Sequence, residues 1–578
     1  MTHLVEVREN LQISRILQEI GEIHAIRGEL FRSRAYLKAA RNILTLTENL
    51  RQMHEEGKLQ TIPGIGRGIS EIIEEFLASG DVKYLKDLRA SLPPGVHELT
   101  ALEGIGPKIA FKLSQELGVE SIEQLETAAR TGKIQSLKGF SSKSEENVLK
   151  AIERHRKTLQ HRLLLGQVLW LIEEIRDHLA DCRYILKVEA AGSARRMCET
   201  VGDLDILVAS AHPEKAIKHF ASMPQITRIL SKGTTRSSVV FGGSFQVDIR
   251  VVSAESFGAA LQYFTGSKDH NIKLRTLAVK QGYKLSEYGL FRRKDDTKAA
   301  GETEESVYHN LGLPYICPEL REDRGEIEAA VAGELPELIS LEDVQGDLHV
   351  HSDWSDGTAT LREIAEAALS LGLAYVAICD HTRSLGIARG LDEERLKKQT
   401  LEIDKLNKGF EEFRLLKGVE ANIMSDGNLD ISNHALKELD LVVASVHSGF
   451  KGDEEKLTNR ILSAINHENV SIIGHPTGRL IQRRQPLPID FDKVFSTAAE
   501  QNVLLEINAF PNRLDLNDVN SRAAQERGVK MAIGTDAHAV NQLGYLDLGV
   551  AVARRGWITP KNVVNTLDVA QLVKQLHQ

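Results

Sequence analysis

The chain has 578 residues, a length that at roughly 150 residues per domain predicts about four domains. Its 42% apolar and 26% charged residues exclude collagen, a long coiled coil and wholesale disorder, and no run of about 18 apolar residues could span a membrane. The net charge of −9 argues against a nucleic-acid binder only until the chain is divided: residues 1–300 hold 44 Lys and Arg against 37 Asp and Glu, residues 301–578 hold 28 against 44.

The charged start, Met1 to Glu9, argues against a secretion signal, and the four scattered cysteines form no CxxC pair, so a reducing cytoplasm is expected. Apolar residues recur at helical spacing in Ile13, Ile16, Leu17 and Ile20, and again in Ile69, Ile72, Ile73 and Phe76. Pro93-Pro94-Gly95 breaks this helical stretch, and residues 97–160 are helical again. Two segments share a design: Ile62-Pro63-Gly64-Ile65-Gly66-Arg67 and Leu102-Glu103-Gly104-Ile105-Gly106-Pro107-Lys108. In each, glycines (Gly64 and Gly66, Gly104 and Gly106) allow a tight turn, and the helix that follows offers free N–H groups to a phosphate; Lys108 adds charge. The pattern resembles the helix-hairpin-helix motif, which implies a grip on DNA backbone without reading sequence. Leu137-Lys138-Gly139-Phe140 with Lys143 is similar to a degraded third copy.

From about residue 160 a long helix gives way to strand-like runs at 206–208, 237–241 and 245–251. Asp203 and Asp205 alternate along an extended stretch, so both carboxylates face one side. Asp248 sits in another strand, and three acids on adjacent strands can bracket two divalent ions. Gly192-Ser193 leads into a turn that could take phosphate, with Arg196 as counter-charge. Tyr263-Phe264-Thr265-Gly266-Ser267-Lys268-Asp269-His270-Asn271 and Arg275 follow. This set is similar to the palm and nucleotide-selection motif of DNA polymerase beta and the family X DNA polymerases. The resemblance implies that Asp203, Asp205 and Asp248 bind two magnesium or manganese ions, with Asp248 nearest the primer hydroxyl. It implies that Gly192, Ser193 and Arg196 hold the triphosphate, that Tyr263, Phe264 and Gly266 line the sugar, and that Asn271 and Arg275 contact incoming base and template. Three departures stand out: Met197 where the family has glycine, Lys268 and His270 inserted after Gly266, and Ile72 where lyase-active relatives carry the Schiff-base lysine. An isoleucine forms no imine.

Residues 319–340 are charged and read as a linker with some helix. From 343 onward short apolar runs alternate with amphipathic helices, which predicts a parallel sheet or barrel. His349, His351, Asp356, His381, Glu420, His447, His475, Asp536 and His538 nearly all follow such runs, where barrel enzymes build their sites. Six imidazoles and three carboxylates suit two or three ions. The region resembles the PHP (polymerase and histidinol phosphatase) domain, a (β/α)7-type barrel with up to three manganese or zinc ions that implies phosphoester hydrolysis, with Arg383 and Arg479 as candidate phosphate contacts.

The whole chain resembles a bacterial family X DNA polymerase with a C-terminal PHP domain, a multidomain α/β protein. The expected division is a helix-hairpin-helix domain (1–90), a second one (91–160), the palm (161–255), a nucleotide-selection subdomain (256–318), the linker (319–340) and the PHP domain (341–578). The resemblance implies gap filling in base excision repair with 3′–5′ exonuclease and abasic-site activity. It implies gapped or primer–template DNA and deoxynucleoside triphosphates as partners, and a monomer in the bacterial cytoplasm, at the nucleoid. Two other readings are an RNA-end nucleotidyltransferase fused to a small-molecule phosphatase, and a DNA-binding repair scaffold.

Overall fold

Apolar residues at helical spacing give the first part of the chain its helices in the computed structural model: Leu30–Leu44, Leu50–Glu55, Arg67–Ser79 and Lys83–Ala90, then Pro107–Leu117, Ile122–Arg130 and Ser142–Thr158. The structure describes residues 13–576 apart from 15, 22, 26–28, 45–49, 56, 80–81, 91–98, 100–101, 103–104, 106, 120, 138–139 and 159–161. Two compact units divide the chain, Met1–His161 and Arg162–Gln578. No helix among the described residues is long and apolar enough to cross a membrane.

Among the described residues the first unit holds two apolar cores. One gathers Leu17, Ile20, Ile43, Ile69 and Ile73; the other gathers Leu99, Ile105, Leu113, Leu125 and Ile152. Ile72 is buried in the first core, so that position packs rather than reacts.

In the second unit, five strands form a sheet in the order Lys187–Ala190, Asp203–Ala209, Phe245–Val252, Arg236–Phe241, Ile226–Lys232. Strict alternation of buried and half-buried residues along Phe245–Val252 sends its apolar side chains into a core shared with helix Leu165–Ala180. Helices Phe257–Thr265 and Lys268–Lys280 and a three-stranded antiparallel sheet follow.

The C-terminal part is built on parallel strands in two runs: Gly346–Val350, Tyr375–Ile378 and Arg414–Lys417, then Glu420–Asn422, Val443–Ser445, Ile472–Ile473, Leu504–Asn508 and Met531–Gly534. Arg414–Lys417 and Glu420–Asn422 are one strand broken at 418–419, and Glu420 N still bonds to Asp380 O at 3.1 Å. At the other seam Asp536 N donates to His349 O and His351 N to Ala537 O, both at 2.8 Å. These bonds join the last strand to the first and close a barrel whose strand ends share one rim.

Residues 319–340 are folded into the second unit. Their charges found partners instead of water, which is why composition alone read as a linker. Arg321 is fully buried, donating to Glu304 Oε1 at 2.5 Å and to Ile316 O at 2.9 Å, and Glu304 also receives Arg195 Nη2 at 2.6 Å. Glu326 accepts from the buried His270 Nδ1 at 2.7 Å, while His270 Nε2 meets the Tyr308 hydroxyl at 2.9 Å. The inserted His270 is therefore a structural partner of this network. Arg321→Ala leaves Glu304 buried with one fewer cation and is expected to cost about 3–5 kcal/mol, measured as a lower urea midpoint.

Candidate active sites

The palm acids are brought together by strand pairing. Asp203–Ala209 runs parallel to Phe245–Val252, and Asp205 stands directly beside Asp248 in the register. Asp203 is two residues from Asp205, so all three carboxylates leave the same face of the sheet. Asp248 Oδ1 is buried with no hydrogen-bond partner, and Oδ2 accepts from Gln246 at 3.0 Å. Burial first, then the charges of Asp203 and Asp248, push the Asp205 carboxyl up to about 7.

Opposite these acids lies the turn at Gly192. Its φ is +62°, and a Cβ there would stand 2.8 Å from Asp205 Oδ2, so both conformation and space call for glycine. Ser193 lies in the short helix Gly192–Arg195, and Arg196 caps it. Arg196 Nη1 donates to Thr265 O at 2.6 Å, tying this turn to the end of helix Phe257–Thr265. Met197, where the family resemblance implies glycine, adopts φ 55°, in the left-handed region that glycine takes most readily. Tyr263 and Phe264 meet edge to face at 5.1 Å between ring centres, and Arg250 lies over the Phe264 ring at 4.4 Å. Gly266 has φ +70°. Asn271 is buried, its carboxamide accepting from Gln262 and donating to Tyr263 O, both at 2.7 Å. Arg275 Nε bonds to Asn271 O at 3.2 Å.

In the first unit, Gly64 takes φ +87° in the turn before helix Arg67–Ser79, and Gly66 O receives Ser70 N at 2.9 Å. Gly104 and Gly106 lie outside the described residues, as does the Lys108 side chain.

At the rim of the barrel the nine expected ligands converge. Three groups of donor atoms lie close enough to share an ion: His351, Asp356, His381 and His538; His349, His351 and Asp536; His381, Glu420 and His447. His475 joins through Glu420 Oε1, which lies 3.0 Å from its Nε2 and 3.2 Å from His447 Nε2. Asp536 Oδ1 is 3.2 Å from His351 Nε2, and Asp356 Oδ1 is 3.4 Å from His538 Nε2. His349 Nε2, both ring nitrogens of His351 and of His447, and Glu420 Oε2 are buried without hydrogen-bond partners. His381 Nδ1 is only 2.7 Å from Glu420 Oε2 yet lacks hydrogen-bond alignment. Donors left unpaired this way fit divalent ions.

The charges follow from that crowding. Burial opposes ionisation of Glu420, but His447, His381 and His349 outweigh it and hold the carboxyl well below the usual range. Burial, with His538 and His381, pushes His351 down to about 3, the neutral form that binds metals.

Comparison with known proteins fits this geometry. Residues 260–322 match the DNA polymerase beta thumb, 8–82 a helix-hairpin-helix domain, 96–154 a SAM-like helix-hairpin-helix tandem, and 347–510 the PHP domain. The chain is 41% identical over 561 residues, 96% of each chain, to the DNA polymerase/3′-5′ exonuclease PolX of Bacillus subtilis. It belongs to the family X DNA polymerases that carry a PHP domain. A probable phosphatase of Thermoanaerobacter is 34% identical over 245 residues, 40% of this chain and 94% of that one. DNA polymerase lambda of Rattus norvegicus is 26% identical over 344 residues, 54% of this chain and 56% of that one.

Sequence reasoning missed the residues that orient the PHP donors in this polymerase. Glu506 Oε1 accepts from His349 Nδ1 at 2.7 Å and Oε2 from His475 N at 2.5 Å, turning His349 Nε2 toward the centre. Arg513 Nε stands 3.1 Å from Asp536 Oδ2, and its Nη1 is buried without a partner. Asp380 accepts from Ser352 N at 2.8 Å and, at shorter range, from Ser355. An acid inside an apolar strand, Leu504-Leu505-Glu506-Ile507, was the available signal for Glu506. Arg479 turns away from the centre: it donates to Glu199 at 2.6 Å and to Leu514 O at 2.5 Å. Arg383 is exposed.

Two outcomes are expected. Glu506→Gln should weaken divalent-ion binding at the PHP centre about tenfold, measured by metal titration. Because the Asp205 carboxyl is raised from 3.8 to about 7, the metal-free folded protein loses stability as pH rises through that window and stays penalised above it. Asp205→Asn should therefore raise the melting temperature in chelator, more at pH 8 than at pH 5.5, as calorimetry would read.

Proposed function

We propose that the chain fills short gaps in damaged DNA at the palm and trims or cleans 3′ ends at the PHP centre, as a monomer in the cytoplasm. The observation that carries this reading is the presence on one chain of two separate acid-bearing sites. One is the Asp203, Asp205 and Asp248 face; the other is a buried set of imidazoles and carboxylates with unpaired donor atoms. The division proposed from sequence at 90, 160, 255, 318 and 340 assigns DNA grip to the first two domains. Gly64, Gly66, Gly104, Gly106 and Lys108 would hold backbone phosphates there.

At the palm the three carboxylates would hold two magnesium or manganese ions. When bound, such ions acidify the primer hydroxyl and neutralise phosphate charge. The unpartnered Asp248 Oδ1 is the carboxylate oxygen available to the primer hydroxyl proton. Ser193 and Arg196 would take the triphosphate, whose α-phosphorus accepts the primer oxygen while pyrophosphate leaves. Tyr263, Phe264 and Gly266 would border the sugar. Asn271, already braced by Gln262, would reach the base, and Arg275 the template.

At the PHP centre the nine donors would hold up to three manganese or zinc ions. Water adds to the phosphorus of the terminal diester, the bond to the 3′ oxygen breaks, and a nucleoside monophosphate leaves. The free Nη1 of Arg513 is the cation best placed for a phosphate oxygen, in place of Arg383 and Arg479. Abasic-site incision would be the same hydrolysis within a chain.

The test is a one-nucleotide-gapped duplex with labelled primer in manganese. Extension with deoxynucleotides and shortening without them is the expected result. Asp203→Ala should abolish extension and leave shortening; His351→Ala should do the reverse. Loss of both activities in either folded variant would sink the two-site reading.

A further inference from the structure

The turn that carries Arg196 is held from the barrel side at one residue after another. Arg555, the last residue of helix Leu546–Arg555, is buried. Its Nη1 donates to the Arg196 carbonyl at 2.7 Å and to Glu322 Oε1 at 2.9 Å, and its Nη2 to Asp518 Oδ2 at 2.8 Å. Glu322 Oε1 also accepts from Arg196 Nε at 3.0 Å. Met197, in its left-handed conformation, lays its side chain on the apolar core of the barrel. The Cys198 thiol donates to the same Glu322 oxygen at 3.4 Å, and Glu199 is paired with Arg479 at 2.6 Å. Four consecutive residues of the turn thus find their partners on elements outside the palm sheet.

The Arg196 guanidinium is aimed by this arrangement. Thr265 O fixes one end and Glu322 the other, while Arg555 holds both Glu322 and the Arg196 backbone. A left-handed, non-glycine residue next to it keeps its conformation only where its surroundings over-determine it. Without Arg555 the Arg196 carbonyl would lose its donor, and Glu322 would be left to Arg196 alone among its arginine partners.

We propose that Arg555, a residue of the PHP domain, is a positioning residue of the polymerase site: it aims Arg196 at the incoming triphosphate. Arg555 is too enclosed to touch a nucleotide and acts through Arg196 and Glu322. The inference rests on the reading of Arg196 as a triphosphate ligand. It makes the hydrolase barrel part of the machinery that selects nucleotides.

The experiment is single-nucleotide insertion on gapped duplex with the full chain, comparing Arg555→Ala, Arg555→Lys, Arg196→Ala and the Arg196→Ala/Arg555→Ala double variant. Primer shortening without nucleotides, in the same preparations, reports the barrel. Arg555→Ala should raise KM for the deoxynucleotide about tenfold, change kcat less, and shorten primers like the parent. Arg196→Ala should raise KM by itself, and adding Arg555→Ala to it should change little, since the two act as one unit. An unchanged KM in Arg555→Ala, or an effect that adds in full to that of Arg196→Ala, overturns the proposal. An unchanged KM in Arg196→Ala instead removes the reading of Arg196 on which it rests. If Arg555→Ala also loses primer shortening, Arg555→Lys decides. Lysine keeps the charge but reaches fewer acceptors, so a raised KM with normal shortening supports the proposal and an unchanged KM overturns it.

Discussion

Removing a carboxylate or a guanidinium from water costs several kcal/mol, roughly, unless partners replace its hydration, and the second unit of this chain buries many such groups. Where the burial is structural, the partners are complete enough to lock elements together. Glu304 sits between Arg195 and Arg321, and Glu326 holds His270. Glu322 takes both Arg196 and Arg555. These pairs join palm, nucleotide-selection helices, the 319–340 segment and barrel. Where the burial is functional, the partners are incomplete. Asp248 keeps an unpaired oxygen, and the barrel rim keeps unpaired ring nitrogens on His349, His351 and His447.

Strand direction does the rest of the placing. A parallel pair sets residues side by side in a fixed register, so Asp205 and Asp248 meet although they lie 43 positions apart. In the barrel every strand runs the same way, so residues following their C-terminal ends share one rim. Glu420 reaches the centre of that rim from the broken strand 414–422, where five histidines surround it: His349, His351, His381, His447 and His475. Glu506 and Arg513 then fix which atoms of His349 and Asp536 face inward.

The barrel is also more than an appended hydrolase. Its core receives Leu165 from the first helix of the second unit and the Met197 side chain from the palm turn. Gly166 leaves only 3.2 Å between a would-be Cβ and Pro511. Arg324 and Asp518 pair across the same region at 2.9 Å. The C-terminal elements therefore pack against the palm turn and the first helix of the second unit.

Much of this was legible in the sequence because it depends on local pattern. Period-two alternation put Asp203 and Asp205 on one face, and helical spacing marked the first cores. Polar residues after apolar runs marked the nine donors, and the resemblance of these motifs to known families supplied their order. What the sequence left open depends on pairing between distant segments. Charge composition read 319–340 as a linker because the counter-charges of Glu322 are remote in sequence: Arg196 lies 126 positions before it and Arg555 lies 233 positions after it. His270 was unreadable for the same reason, its partners being Glu326 and Tyr308. Glu506 looked like one acid in an apolar strand until the barrel closed around it. Local steric and hydrophobic periodicity is written in neighbouring residues; the satisfaction of a buried charge is decided only when remote segments meet.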